Sequence, residues 1–259
     1  MSKTVYLPHG GGPLPLIDQK TYINMNKFIK NIGESSNPEA IIVFSAHLET
    51  KEVTVIYDNI DNLLFDYYGF PEETYKYEYN PPKAIKLGKS IITKLNKAGI
   101  KTVSSTRGFD HGVFIPLMIM YPKATIPVIQ ISLKEGLDEL FHINLGKALS
   151  FLKDDNILFL GSGFSFHNIR EFFNNKLVDD KNNQFHDWLT EVISSDKLSE
   201  EQRTKKLINW VQAPNSSYVH PTAEHLIPLH ICYGINQRSG KVVFNEEINN
   251  KTTIGVLWE

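Results

Sequence analysis

Three histidines stand where apolar, strand-like runs stop. Thr4 to Pro8 (TVYLP) ends at His9, followed by Gly10, Gly11 and Gly12. Ala40 to Ala46 (AIIVFSA) ends at His47, and Asn156 to Leu160 (NILFL) runs through Gly161-Ser162-Gly163 to His167. In an open α/β sheet, ligands bind beyond the carboxyl ends of the strands. Three imidazoles far apart in sequence are therefore expected along one edge of one sheet. Imidazole is the commonest metal ligand and carries protons near neutral pH, so the chemistry to expect is metal binding or proton transfer. The glycines after His9 let backbone approach a ligand closely, and Ser45-Ala46 leave room beside His47.

Other reactive patterns fail on spacing. The run Gly161 to Asn168 (GSGFSFHN) lacks the lysine of a phosphate loop and the spacing of a dinucleotide fingerprint. Ser162 lacks the wider glycine spacing of a nucleophile elbow. The dense run His220 to His230 (HPTAEHLIPLH) is not the HExxH of a zinc protease. Pro221 and Pro228 suggest a kinked helix there. His220, His225 and His230 are five residues apart and cannot share one helical face; spacing does not choose between Glu224 and His225 as a metal ligand. His111, in Gly108 to Gly112 (GFDHG), reads as a helix start capped by Asp110 that also turns a histidine to a pocket. His142 and His186 flank the apolar stripes of their helices and read as solvated surface residues.

The elements that must position these groups alternate. Strand-like runs are Thr4–Pro8, Ala40–Ala46, Val53–Tyr57, Ile126–Ser132, Asn156–Gly161, Lys241–Ile248 and Thr253–Trp258. Helical periodicity covers Pro82 to Ala98, Leu137 to Leu152 and the stripe Phe185, Trp188, Leu189, Val192. Alternation of this kind predicts an α/β fold: one domain over residues 1–259, with a central mixed, mostly parallel sheet and helices on both faces. The last two strands follow each other closely and should pair antiparallel. Phe65 to Lys83 (FDYYGFPEETYKYEYNPPK) is long and non-periodic, and its aromatics argue for an ordered wall over a pocket. Asn174 to Gln184 (NNKLVDDKNNQ) is the best loop or linker candidate.

Composition removes several classes. The 259 residues are 41% hydrophobic and 22% charged with a net charge of -2, so no basic field favours nucleic acid or an anionic membrane. Cys232 is the only cysteine, which excludes an intrachain disulfide and a cysteine-only metal site. The opening MSKTVYLPHGGG lacks the apolar run of a secretory signal, and the longest apolar stretch, near Phe114 to Tyr121, is too short to span a bilayer. A cytoplasmic protein is the expectation.

Six ordered segments together resemble the class III extradiol ring-cleaving dioxygenases, in their DOPA-dioxygenase-type branch. They are HGGGP (His9 to Pro13), SAH (Ser45 to His47), DYYGFP (Asp66 to Pro71), GFDHG (Gly108 to Gly112), GSGFSFHN (Gly161 to Asn168) and PTAEHLIPL (Pro221 to Leu229), and they span nearly the whole chain. The resemblance implies one divalent non-haem metal, Fe(II) for activity with Zn(II) as a well-bound alternative. It implies His9, His47 and His225 as ligands, His167 as the acid/base and His111 as a catalytic residue lining the pocket. Glu224 remains a rival third ligand, because the wider superfamily often uses two histidines and a carboxylate. Leu48 stands where members often carry Trp. The implied substrates are a small catechol and O2, with Tyr68, Phe70 and Tyr75 of the aromatic loop expected against the ring. A zinc-dependent hydrolase on the same ligand set and a non-enzymatic protein with a metal cleft are the alternatives. The identity of the catechol and the oligomeric state stay open.

Overall fold

A computed structural model describes residues 2–58, 63–174 and 179–259. Eight strands form one sheet: β1 (Lys3–Pro8), β2 (Ala40–Thr50), β3 (Val53–Ile56), β4 (Thr102–Ser105), β5 (Val128–Lys134), β6 (Ile157–Gly163), β7 (Lys241–Ile248) and β8 (Lys251–Trp258). Their order is β4-β3-β5-β2-β6-β1-β8-β7. The central pairs β2–β5, β2–β6 and β1–β6 are parallel, as is β3–β4. The pairs β3–β5, β1–β8 and β7–β8 are antiparallel. The sheet is thus mixed and mostly parallel at its centre, with the last two strands antiparallel, as the sequence implied.

The helices are α1 (Leu14–Ile17), α2 (Ile23–Glu34), α3 (Ile85–Lys97), α4 (His111–Met120), α5 (Glu139–Leu149), α6 (Ile169–Phe172), α7 (Asp180–Ser194), α8 (Glu200–Ile208), α9 (Ser216–Val219) and α10 (Ile227–Asn236). They cover both faces, because side chains alternate along each central strand. Ile41, Val43, Leu158 and Leu160 pack with Met25, Phe28 and Ile29 of α2, Val113 and Leu117 of α4 and Phe185 of α7. Ile42, Phe44, Ile157 and Phe159 pack on the other face with Ile91 of α3, Leu145 and Leu149 of α5, and Ile231 and Ile235 of α10. Strands buried on both faces read as continuous apolar runs. Among the described residues, no helix is long and apolar enough to cross a membrane.

Several expectations need correction. Residues 220–230 are not one kinked helix: α10 starts at Ile227, and Pro228 sits in its first turn, where its missing N–H costs nothing. The stretch Asn174 to Gln184 is not all loop. α7 begins at Asp180, with Asp179 accepting from the Asn182 N–H, and residues 175–178 lie outside the described residues. His142 and His186 are buried, not solvated. Nδ1 of His142 donates to Asp138 O at 2.6 Å and its Nε2 accepts from the Lys134 N–H at 3.0 Å. Nδ1 of His186 donates to Asn182 O at 3.0 Å and its Nε2 accepts from Ser165 Oγ at 2.8 Å. Each ring is buried because both its nitrogens are satisfied, and burial pulls each pKa down from 6.5 to about 4.

Candidate metal centre

The three histidines do meet, and two more join them, though His47 lies within β2, which runs on to Thr50 instead of stopping at Ala46. His9, His47, His111, His167 and His225 line one cavity of about 200 Å³, with Gly10 to Gly12 and Phe164, Phe166, Asn168, Ile169, Phe172 and Phe173. His9 extends β1, its N–H donating to Gly163 O of β6 at 3.1 Å. His47 lies in a bulged part of β2, where the register against β5 shifts between Phe44 and Glu49. Bulges beside a site re-aim side chains. His111 opens α4, His225 precedes α10, and His167 follows β6 with its N–H on Val219 O at 3.0 Å.

Two glycines set how closely these parts approach. A Cβ on Gly163 would lie 2.2 Å from the His225 carbonyl oxygen. That carbonyl is fixed by the Tyr6 hydroxyl at 2.9 Å and the Phe164 N–H at 3.3 Å. A Cβ on Gly112 would lie 2.4 Å from Ser45 Oγ and 3.1 Å from the His47 ring.

In all five rings Nδ1 is turned to an oxygen. His9 Nδ1 is 3.0 Å from Ser162 Oγ. The Ser162 hydroxyl donates its proton to Gly112 O, so Nδ1 of His9 must be the donor toward Ser162. Asp66 Oδ1 accepts from His111 Nδ1 at 2.8 Å, and Oδ2 lies 3.5 Å from His47 Nδ1. Glu224 Oε1 accepts from His225 Nδ1 at 3.1 Å and lies 3.0 Å from His167 Nδ1. Carboxylates on one imidazole nitrogen fix the tautomer and leave the other as a lone pair for a metal.

His9 Nε2 and His47 Nε2 lie 3.1 Å apart. With the His9 Nδ1 proton fixed by Ser162 and the His47 Nδ1 turned to Asp66, these are two lone pairs pointed at each other, a repulsive contact unless a cation sits between them. Two nitrogen donors about 2.1 Å from one ion and near a right angle lie about 3 Å apart. The donor set therefore fits a metal ion. The His225 ring centre is 5.2 Å from His9 and 5.0 Å from His47. His111 is equally near, with its donor nitrogen within 4.8 Å of those of His9 and His47; His167, Glu224 and His225 form a second such group. His167 stacks on His225 with ring centres 3.3 Å apart.

Electrostatics keep His9, His47 and His225 neutral. Burial first, then the neighbouring histidines, hold His9 and His47 well below 6.5. Burial also carries His225 down to about 3 against the pull of Glu224. Burial acts to raise the Glu224 pKa, but hydrogen bonds from His167, His225 and Thr222 outweigh it and hold the carboxyl well below its usual range.

Other expected placements differ. Of the His220 to His230 cluster, only His225 reaches the cavity. His220 Nε2 is bound to Ser165 O at 2.9 Å, and His230 Nε2 to Leu207 O at 3.0 Å. Asp110 does not cap α4 with its side chain. It accepts from Ser45 Oγ at 2.6 Å, from Arg107 at 3.1 Å and from Gln130, bracing the bulge that carries His47. The cap is Asp66, whose Oδ1 takes the His111 N–H at 3.0 Å. The aromatic loop lies at the histidine edge, but Tyr68, Phe70 and Tyr75 are not in the cavity wall. Tyr68 is 91% exposed. Tyr75 packs on Phe65 and Tyr67, and Phe70 packs on Tyr67, so the loop's rings fill one another. The wall comes instead from Phe164, Phe166, Ile169, Phe172 and Phe173.

Five imidazoles in an open-ended cavity, beyond the carboxyl ends of β1 and β6 and at the bulge of β2, agree with what comparison with known proteins shows. The chain belongs to the family described as the catalytic LigB subunit of aromatic ring-opening dioxygenase, matched over residues 3–257. It is 32% identical to a 4,5-DOPA dioxygenase extradiol of Beta vulgaris, across 99% of this chain and 94% of that one. It is 33% identical to a 4,5-DOPA dioxygenase extradiol-like protein of Schizosaccharomyces pombe, across 92% and 85%. The fold matches the crystal structure of an uncharacterized protein from Escherichia coli K12 with a TM-score of 0.79 at 22% identity, covering 99% of each chain.

Proposed function

We propose that this enzyme uses Fe(II), held by His9, His47 and His225, to open the ring of a small catechol with O2. The observation that carries the reading is the 3.1 Å approach of His9 Nε2 and His47 Nε2, with the far side of each ring turned to Ser162 or Asp66. Three protein donors on one side leave positions open for catechol and O2. Bound Fe(II) supplies the electron transfer that ground-state O2 needs, which Zn(II), bound by the same donors, does not.

The chain's own groups do the rest. His167 has Nδ1 turned to Glu224, so its Nε2 is the atom that takes a proton from a catechol hydroxyl and later returns it. Stacking on His225 places that base beside the metal donors. His111, held by two bonds to Asp66, presents its Nε2 lone pair to the cavity, where it accepts a hydrogen bond from a catechol hydroxyl. The phenylalanine wall excludes water from the reacting face.

The test is reconstitution followed by substitution. Iron-loaded protein should consume O2 with a catechol, and zinc-loaded protein should not. His225→Ala should abolish tight metal binding, while His111→Ala and His167→Ala should keep the metal and lose turnover by roughly 100-fold or more. Metal lost from His111→Ala and retained in His225→Ala would assign the third ligand to His111.

A further inference from the structure

The cavity has two ends of different chemistry. One carries the nitrogens of five histidines. The other is built from Phe164 and Phe166, both buried, and from Ile169, Phe172 and Phe173. Ile169 is 62% exposed and Phe173 63% exposed, so the apolar surface continues to the rim. Among the described lining residues none is Lys or Arg. The one polar side chain at that end, Asn168, is already spent: Nδ2 donates to Tyr218 O at 2.7 Å and Oδ1 accepts from the Glu171 N–H at 3.2 Å.

Cations packed close behind the site are also committed. Arg107 donates to Asp110 Oδ2 at 3.1 Å and lies 3.5 Å from His47 O. Lys251 is fully buried against Asp179 Oδ2 at 2.7 Å, behind the Phe166 ring. A ring substituent carrying a carboxylate would thus rest on phenylalanine and isoleucine, with no Lys or Arg among the described lining residues to pair with it. Desolvating an unpaired carboxylate is costly, whereas an alkyl or aryl group gains from the same surface.

We propose that the preferred substrates are catechols whose ring substituent is uncharged and apolar, rather than an amino-acid or carboxylate-bearing side chain. The inference rests on the catechol reading above and adds the substituent class. The diphenol enters with its hydroxyls at the histidines and its substituent between Phe166, Phe172 and Phe173.

A matched pair tests it: 4-propylcatechol and 3-(3,4-dihydroxyphenyl)propanoate at pH 7. Binding is measured calorimetrically to zinc-loaded protein, which needs no turnover, and kcat/KM by O2 uptake with iron-loaded protein. The uncharged member should bind and turn over at least about tenfold better. Phe173→Arg should narrow or invert the ratio by placing a cation at the rim. Arg170→Ala, which removes an exposed cation beside Ile169, should leave the ratio unchanged. Equal or reversed preference in the unaltered chain, or loss of carboxylate binding on Arg170→Ala, overturns the inference while leaving ring opening intact. Uncharged preference in binding without any O2 uptake sustains the inference and overturns the ring-opening reading. Binding of neither catechol overturns both.

Discussion

Replacing Glu224 by Gln separates a carboxylate that orients a metal-binding histidine from one that binds metal itself. One oxygen, Oε1, faces both His225 Nδ1 at 3.1 Å and His167 Nδ1 at 3.0 Å. Gln keeps a carbonyl oxygen that can face both rings but loses the charge, so charge-assisted contacts become neutral ones. A hydrogen bond to a charged group contributes about 1.5–3 kcal/mol, and loss of an orienting partner costs metal affinity about 10–100-fold. Glu224→Gln should therefore weaken metal binding by one to two orders of magnitude, roughly 1.4–2.8 kcal/mol. The assay is competition with a chromophoric chelator at pH 7, alongside thermal unfolding of the metal-free protein to show that the fold persists. Affinity within about twofold of the unaltered protein would refute the orienting role. Complete loss of stoichiometric metal would make Glu224 a ligand in its own right.

Three further outcomes follow from the geometry. Asp66→Asn should lower kcat/KM roughly tenfold in O2-uptake assays, because His111 loses a charge-assisted bond and α4 loses the charge on its first N–H; unchanged kinetics would deny Asp66 that role. Gly163→Ala should displace the His225 carbonyl, which stands 2.2 Å from the added Cβ, and weaken metal binding more than it lowers the melting temperature; normal metal affinity would show that His225 has room to move. Acid should destabilise the metal-free fold: His142 and His186 titrate at about 4 when folded and near 6.5 when unfolded. The unfolded chain takes up those protons first, so the stability is fully present above pH 6.5 and is lost as pH falls toward 4, about 3 kcal/mol for each ring. A urea midpoint that stays level from pH 7 to pH 4.5 would contradict this.

Much of the scaffold was legible because the central strands are buried on both faces and read as apolar runs ending at His9, His47 and the Gly161–Gly163 segment. β4 was not, since Thr102–Ser105 (TVSS) is a polar edge strand with only Thr102 buried. α10 hides its period because nine of its ten residues, Ile227 to Ile235, are buried, leaving no polar face to mark it. α2 and α8 also carry legible local signals. Met25, Phe28, Ile29 and Ile32 have helical spacing, and Ser199 with Gln202 forms a capping box. In the site, the histidines that line the cavity were found from strand ends and motif order. Asp66 was missed as a functional group because its partner His111 is 45 residues away, a pairing that local pattern does not carry. The substrate wall was assigned to Tyr68, Phe70 and Tyr75 on aromatic content alone. Content does not reveal that those rings pack on each other while Phe172 and Phe173, in a less conspicuous run, reach the cavity.

The most direct test is a single turnover of iron-loaded protein with 4-propylcatechol under 18O2, read by mass spectrometry of the product. Extradiol opening requires both labelled atoms in a ring-opened aldehyde acid, none in the zinc-loaded control, and little product from His167→Ala. Recovery of an intact ring oxidised to a quinone, or ring opening that proceeds equally with zinc, would contradict an iron-dependent ring-opening dioxygenase built on His9, His47 and His225.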